Sequence, residues 1–332
     1  MKEILLAHGG GGDEMNELIN KLFFKSFSNP ILEKMEDAAT IELKSPIAFT
    51  TDSFTVNPLF FNGGDIGKLA VVGTVNDLVM AGAKPRYLTC GFMIEEGFLF
   101  SDLQKIVKSM QDEMEKIGVK VVAGDTKVVP KGSVDGVFIN SSGVGEIVQK
   151  NISSHNIKAG HVLIVSNEVG NHGACILAKR EDLDVETSIK SDCALLWEPV
   201  KALYEAGIAP IALRDATRGG LSAVLNEWAV ASNIGIKAYE EKIPVADEVR
   251  GICEIFGFEP YEFANEGTMV LALKEEDASK ALEVLKGFEV TKRASLFGVA
   301  VKEYEGRVIL ETPWGSQRFL ESPKGELLPR IC

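Results

Sequence analysis

The sequence has no apolar run that approaches the roughly 20 residues a helix needs to cross a bilayer, so a membrane-spanning role is not expected. Its start, MKEILLAHGGGGDEM, lacks the long apolar stretch and cleavage site of a secretory signal, which points to a cytoplasmic location. Cysteine is scarce and scattered. Cys90, Cys175, Cys193, Cys253 and Cys332 form an odd set without a CxxC pair, which argues for reduced thiols and against a disulfide framework or zinc site. Positive charge is also short: 35 Lys and Arg stand against 48 Asp and Glu, a formal net charge of −13. That sign disfavours nucleic acid as a partner and leaves room for a local phosphate site. There is no GxxxxGK[ST], no GxGxxG after a strand, no low-complexity run and no clear internal repeat.

What is present is a folded globular composition, 45% hydrophobic and 25% charged, over 332 residues, a length that fits about two domains. A glycine cluster at 9–12 leads into a helix-like stretch ending near Phe27. IAFTTDS (47–53) reads as a buried strand ending on Asp52, and the all-round apolar 65–83 as a buried helix. Leu103, Ile106, Val107, Met110, Met114 and Ile117 follow the spacing of an amphipathic helix. VKVVAGDTK (119–127) reads as a strand entering a Gly-Asp turn, and 136–147 as another strand. Polar residues near 150–160 suggest a domain boundary. Beyond it, strands are expected at 161–167 and 268–274, and a helix at 277–288. Residues 211–232 read as strand, glycine turn and helix, with Leu221, Val224, Leu225 and Trp228 on one face, and 298–312 as a terminal hairpin. Strands and helices mix without a regular alternation, so the expected class is α/β (α+β), two mixed-sheet domains. After Phe319, ESPKGELLPRIC reads as an irregular tail ending on Cys332.

Asp52, Asp125 and Asp215 sit where strands or glycine turns stop, and Asp77 lies inside the apolar helix, where a carboxylate needs a partner. Capping explains any one of them. Four together, beside glycine turns, suit magnesium, which takes a few carboxylates plus water and phosphate oxygens. HGGGG (8–12) and TRGG (217–220) offer backbone N–H groups, the second at a helix start where anions are favoured, and Lys127 and Arg218 add positive charge. The histidines show no metal spacing; His172, among glycines, is the one best placed to line a site. Glu266 in FANEGTMV is either a surface residue or a base at a cleft.

Together TDSFTVNPLFFNGGDIGKLAVVGTVNDLVMAGAKP, GDTKVVPKG, NHGACILAKRE, LRDATRGGL, ANEGT and the terminal LPRIC resemble the HypE family of hydrogenase maturation proteins, over essentially the whole chain. The TDS, NDL, GD and RDxT elements resemble the wider ATP-binding superfamily of aminoimidazole ribonucleotide synthetase, selenophosphate synthetase and thiamine monophosphate kinase. Ala216 stands where the family usually has proline, in RDPTRGG, and HGGGG departs from the HGSGG that is common in it.

The resemblance implies an aminoimidazole ribonucleotide synthetase-like fold. It divides into a glycine-containing segment (1–38), an ATP-binding and dimerisation domain (39–150), a C-terminal α/β domain (151–319) and a flexible tail (320–332). It implies that Cys332 receives a carbamoyl group from the partner HypF. ATP-dependent dehydration then gives a thiocyanate, and the cyanide passes to iron on HypC–HypD for [NiFe]-hydrogenase. Glu266 is implied as the base, with Lys127 assisting. ATP and magnesium are implied at Gly10, Gly11, Asp52, Asp77, Asp125, Thr126, His172, Asp215, Thr217, Arg218 and Gly219. A homodimer through the N-terminal sheets is also implied. A selenophosphate synthetase-like enzyme would carry its reactive residue near the N-terminus, and no cysteine precedes Cys90. A small-molecule kinase would not need the tail, and a non-catalytic ATP-binding scaffold is the third reading.

Overall fold

The computed structural model describes residues 3–9, 13–34, 38–44, 46–180, 188–323 and 330–332. The N-terminal sheet has four strands in the spatial order Ile47–Phe54, Val137–Ile147, Ala83–Glu95, Lys120–Val129. Neighbours among the first three are antiparallel, and the last pair is parallel. A parallel pair requires a crossover. Helix Phe100–Ile117 supplies it and buries Leu103, Ile106, Val107, Met110 and Met114, the face its spacing predicts. Helix Ile66–Met80 has no polar face because it has no solvent side. It packs on the sheet, on Phe100–Ile117, and on Trp197–Glu205 and Ala212–Asp215 of the second half. Gly143 allows the close helix–sheet approach, since a Cβ there would stand 2.9 Å from the Thr74 methyl.

The second sheet has seven strands, in the order Gln317–Phe319, Val308–Glu311, Gly235–Tyr239, Ser295–Val301, Val162–Val165, Met269–Leu273, Ala212–Asp215. Both faces are covered, so alternate side chains enter different cores. Val162 and Ile164 join the core that also contains Leu69, Ile106 and Trp197, while Leu163 and Val165 pack with Leu221, Leu225 and Trp228 of helix Gly220–Ser232. The first core runs without a break from one half of the chain to the other.

Three sequence expectations change, and one strand is added. Residues 47–54 form a strand, but only its alternate side chains face the helix: Phe49 is 67% exposed, and the strand continues past Asp52 to Phe54. Residues 120–129 are continuous strand through Gly124 and Asp125, without a turn. The 298–312 hairpin does not form. Its two strands flank Gly235–Tyr239, one antiparallel and one parallel, and Gly235 makes room for the Glu303 carbonyl, which a Cβ would meet at 1.9 Å. The long strand Ala83–Glu95 went unread because Pro85 and Gly91 interrupt its pattern. Pro85 is accommodated where the register shifts between Pro85 and Tyr87.

At the end of the chain, Leu320 is buried, and Ser222 Oγ donates to the Glu321 carbonyl at 2.6 Å. The last three residues return to the seam between the two halves. No helix among the described residues is long and apolar enough to cross a membrane.

Candidate active site

The alternation of strand Ile47–Phe54 puts Thr50 and Asp52 on its helix-facing side, opposite the third turn of Ile66–Met80. Thr50 Oγ1 therefore donates to Asp77 Oδ2 at 2.7 Å, the partner that a carboxyl group in an apolar helix requires. Asp215 ends strand Ala212–Asp215, and the chain turns at once into helix Gly220–Ser232. That turn needs glycine: Gly219 and Gly220 have φ of +75° and +59°, and a Cβ on Gly220 would stand 2.5 Å from the carbonyls of Tyr261 and Phe263. Ala216 donates its N–H to the Thr268 carbonyl at 2.9 Å, a bond that a proline at this position could not make.

Asp52, Asp77 and Asp215 line one cavity of about 490 Å³, with Thr217 and Arg218 at its rim. Burial raises the carboxyl pKa of Asp52, and raises that of Asp77 against the opposing Thr50 hydrogen bond. Asp215 is pushed up to about 7, first by burial and then by Asp77. Three carboxyl groups share a poorly solvated space, where Arg214 and Arg218 only partly offset the cost of burial. Among the described residues, however, no three His, Cys, Asp or Glu side chains form a ready-made metal cage.

Glu266 and Cys332 line the same cavity. Glu266 is 3% exposed, and its Oε1 has no hydrogen-bond partner. Burial, reinforced by Asp192, Asp215, Asp52 and Asp77, drives its pKa well above the ordinary carboxyl range. Its backbone is held by Asp192, which has no place in the sequence reading. Asp192 accepts from the N–H groups of Glu266 and Gly267, each at 3.0 Å, and from Thr268 Oγ1 at 2.8 Å. A Cβ on Gly267 would stand 1.9 Å from the Asp192 carbonyl oxygen, so glycine permits this grip. Asn265 accepts from Gly170 N at 2.7 Å and donates to the Ala216 carbonyl at 2.8 Å, tying the glutamate turn to the Asp215 turn. The only sequence signal for Asp192 is one acid in the short polar stretch KSDC.

Cys332 is anchored through its backbone, its carbonyl accepting from Thr55 N at 2.9 Å. Burial, then Glu266, push its thiol up to about 12, with Arg218 opposing. The docked thiol is therefore protonated at neutral pH.

The remaining expected residues lie elsewhere. His172 is fully buried and contacts the tail backbone, not the cavity wall. Asp125 and Lys127 pair with each other at 2.8 Å on the exposed side of Lys120–Val129, at the sheet edge opposite Ile47–Phe54, and Thr126 is buried on the other side of that strand. Gly10 and Gly11 lie outside the described residues.

Residues 35–147 match the N-terminal domain, and residues 158–311 the C-terminal domain, of AIR synthase related proteins. Two such halves meeting at a carboxylate-lined cavity place the chain in that two-domain class. Over its full length it is 45% identical to the carbamoyl dehydratase HypE of Escherichia coli (strain K12), with 100% of each chain covered. A solved structure of the hydrogenase maturation protein HypE in complex with ATP matches at TM-score 0.94 and 42% identity, covering 99% of both chains. A chain of a solved HypE–HypF complex matches at TM-score 0.80 and 47% identity, covering 92% of this chain and 99% of that one. The chain belongs to the HypE carbamoyl dehydratase family.

Proposed function

We propose that this protein dehydrates a carbamoyl group carried on its own Cys332, using ATP, and so supplies cyanide for a hydrogenase iron centre. The observation that carries this reading is the meeting of Cys332, the unpartnered Glu266 carboxyl and three aspartates in one cavity. Amide oxygen is a poor leaving group, and phosphorylation makes it a good one. In the overall change the carbamoyl oxygen ends on inorganic phosphate, ATP becomes ADP, and both N–H protons leave the nitrogen.

Glu266 is placed to take one of those protons. Its carboxyl is held neutral in this state, so it becomes a base when positive charge enters the cavity. Thr217 and Arg218 line the cavity just ahead of helix Gly220–Ser232, whose N-terminal dipole would favour phosphate on that side. Asp52, Asp77 and Asp215 fit magnesium that takes its other ligands from phosphate and water, since their pKa values stay raised by burial even with Arg214 and Arg218 nearby. Magnesium there would offset phosphate charge.

Lys127 and Asp125 join the site if the working form is a homodimer. One face of the N-terminal sheet is open, with Ile47 53% and Phe49 67% exposed, and among the described residues no further strand pairs with either of its edges. A second copy covering that face brings the Lys120–Val129 edge of one chain to the Ile47–Phe54 edge of the other, which ends beside the cavity. HypF as carbamoyl donor is supported by the relative solved in complex with it. HypC–HypD is the expected cyanide acceptor.

The test is mass spectrometry of the C-terminal peptide after incubation with the carbamoylating partner, carbamoyl phosphate and magnesium ATP. The expected result is a carbamoyl adduct on Cys332 that loses one water only when ATP is present. An active partner that leaves Cys332 unmodified would overturn the reading.

A further inference from the structure

The last three residues are held from both halves of the molecule. On the N-terminal side, Arg330 Nε donates to the Thr55 carbonyl at 2.8 Å, and Arg330 Nη1 pairs with Asp135 at 2.7 Å. Asn57 N donates to the Arg330 carbonyl at 3.2 Å, and Thr55 N to that of Cys332 at 2.9 Å. From the C-terminal half, His172 Nε2 donates to the Ile331 carbonyl at 2.7 Å. That carbonyl belongs to the peptide group that carries Cys332. With this plane and the Cys332 carbonyl both held, φ of Cys332 is set as well, and χ1 is the torsion that directs its sulfur.

The imidazole is itself held in place. A carbonyl only accepts, so Nε2 carries the proton, and Nδ1 accepts from Ser191 Oγ at 2.8 Å. Ser191 Oγ in turn accepts from Cys193 N at 3.1 Å, and the Phe61 ring meets the imidazole edge-on at 5.4 Å. Burial lowers the pKa of His172 and favours this neutral tautomer. The residue between Ser191 and Cys193 is Asp192, which grips the Glu266 and Gly267 N–H groups. One three-residue segment thus sets both the ring that holds the tail and the backbone of the proposed base.

We propose that His172, with Ser191 fixing its tautomer, is a positioning residue for dehydration: its bond to the Ile331 carbonyl seats Cys332 beside Glu266, and its loss releases the tail. This rests on the dehydratase reading above. The first readout needs neither nucleotide nor partner, so the two can fail separately.

The full-length chain is pulse-labelled with iodoacetamide, and each cysteine is quantified by mass spectrometry. Docked Cys332 reacts slowly because it is half-buried and protonated, so its labelling rate tracks the undocked fraction. His172→Leu should raise that rate roughly tenfold, the factor that corresponds to about 1.4 kcal/mol. Cys90, fully buried, should stay protected and so report an intact fold. His172→Gln keeps an N–H donor and an acceptor and should restore slow labelling. In the carbamoylated Leu variant, water loss should slow about tenfold while carbamoyl transfer to Cys332 does not. Equal Cys332 labelling in wild type and the Leu variant would overturn the proposal, as would faster labelling with unchanged water loss. If Cys90 becomes labelled in the Leu variant, the decision passes to Ser191→Ala, which frees the ring to turn. Faster Cys332 labelling there supports the proposal, and an unchanged rate overturns it. The dehydratase reading fails on different evidence, an absence of water loss in the wild type.

Discussion

Replacing Asp215 with asparagine should stabilise the ligand-free protein, and by an amount that depends on pH. Asp215 is 6% exposed, and its pKa is moved from the ordinary 3.8 to about 7, first by burial and then by Asp77. A carboxyl whose folded pKa is raised contributes full stability below its unfolded pKa, and that contribution is lost as pH rises through the folded value. The window here is 3.8 to about 7. At 1.36 kcal/mol per pH unit the loss is about 2 kcal/mol at pH 5 and about 4 kcal/mol at pH 8. Asparagine removes the titration, so its advantage over wild type should grow by about 2 kcal/mol between those pH values, on the order of 4–8 °C in Tm for domains of this size. Thermal melting of both proteins at the two pH values, without nucleotide or magnesium, measures this double difference. Adding magnesium ATP should shrink the advantage, because in wild type the cation offsets the ionised aspartate. An advantage that is the same at both pH values would refute the claim that a desolvated, ionisable Asp215 limits stability.

Glu266→Gln should leave ATP binding intact and slow water loss from carbamoylated Cys332 by at least about 100-fold, measured by mass spectrometry of the C-terminal peptide; dehydration at the normal rate would remove Glu266 from its proposed role. Gly267→Ala should cost at least about 2 kcal/mol, seen as a lower urea midpoint at unchanged slope, because its Cβ would stand 1.9 Å from backbone oxygen of Asp192. Phe49→Asp, on the open sheet face, should shift monomer stability by no more than about 0.5 kcal/mol. In sedimentation equilibrium the same variant should behave as a single chain; a retained dimer would mean that the copies pair elsewhere.

The helix Ile66–Met80 was legible because uniform apolarity over fifteen residues suits only a segment enclosed on all sides. The buried face of Phe100–Ile117 was legible from its 3–4 spacing. The glycine turn after Asp215 was legible because its backbone has positive φ. Strand Ala83–Glu95 was not, since Pro85 and Gly91 look like breakers until the register shift shows how they are absorbed. The 298–312 hairpin was misread because adjacency in sequence does not show that a third strand lies between the two.

The sequence by itself determined the acids, the glycine turns and the terminal cysteine, because residue type and local backbone need are written in it directly. Tertiary structure decided which of them meet. Asp52, Asp77 and Asp215 share a cavity with Glu266 and Cys332, while Asp125 and Lys127 sit at the far edge of the sheet. Asp192 and His172 took on roles, gripping Glu266 and the tail, that no local pattern announces. The physical reason is distance along the chain: these contacts join residues tens to hundreds of positions apart. Desolvation and hydrogen-bond geometry, which set the pKa values and tautomers there, exist only once the two halves have closed on each other.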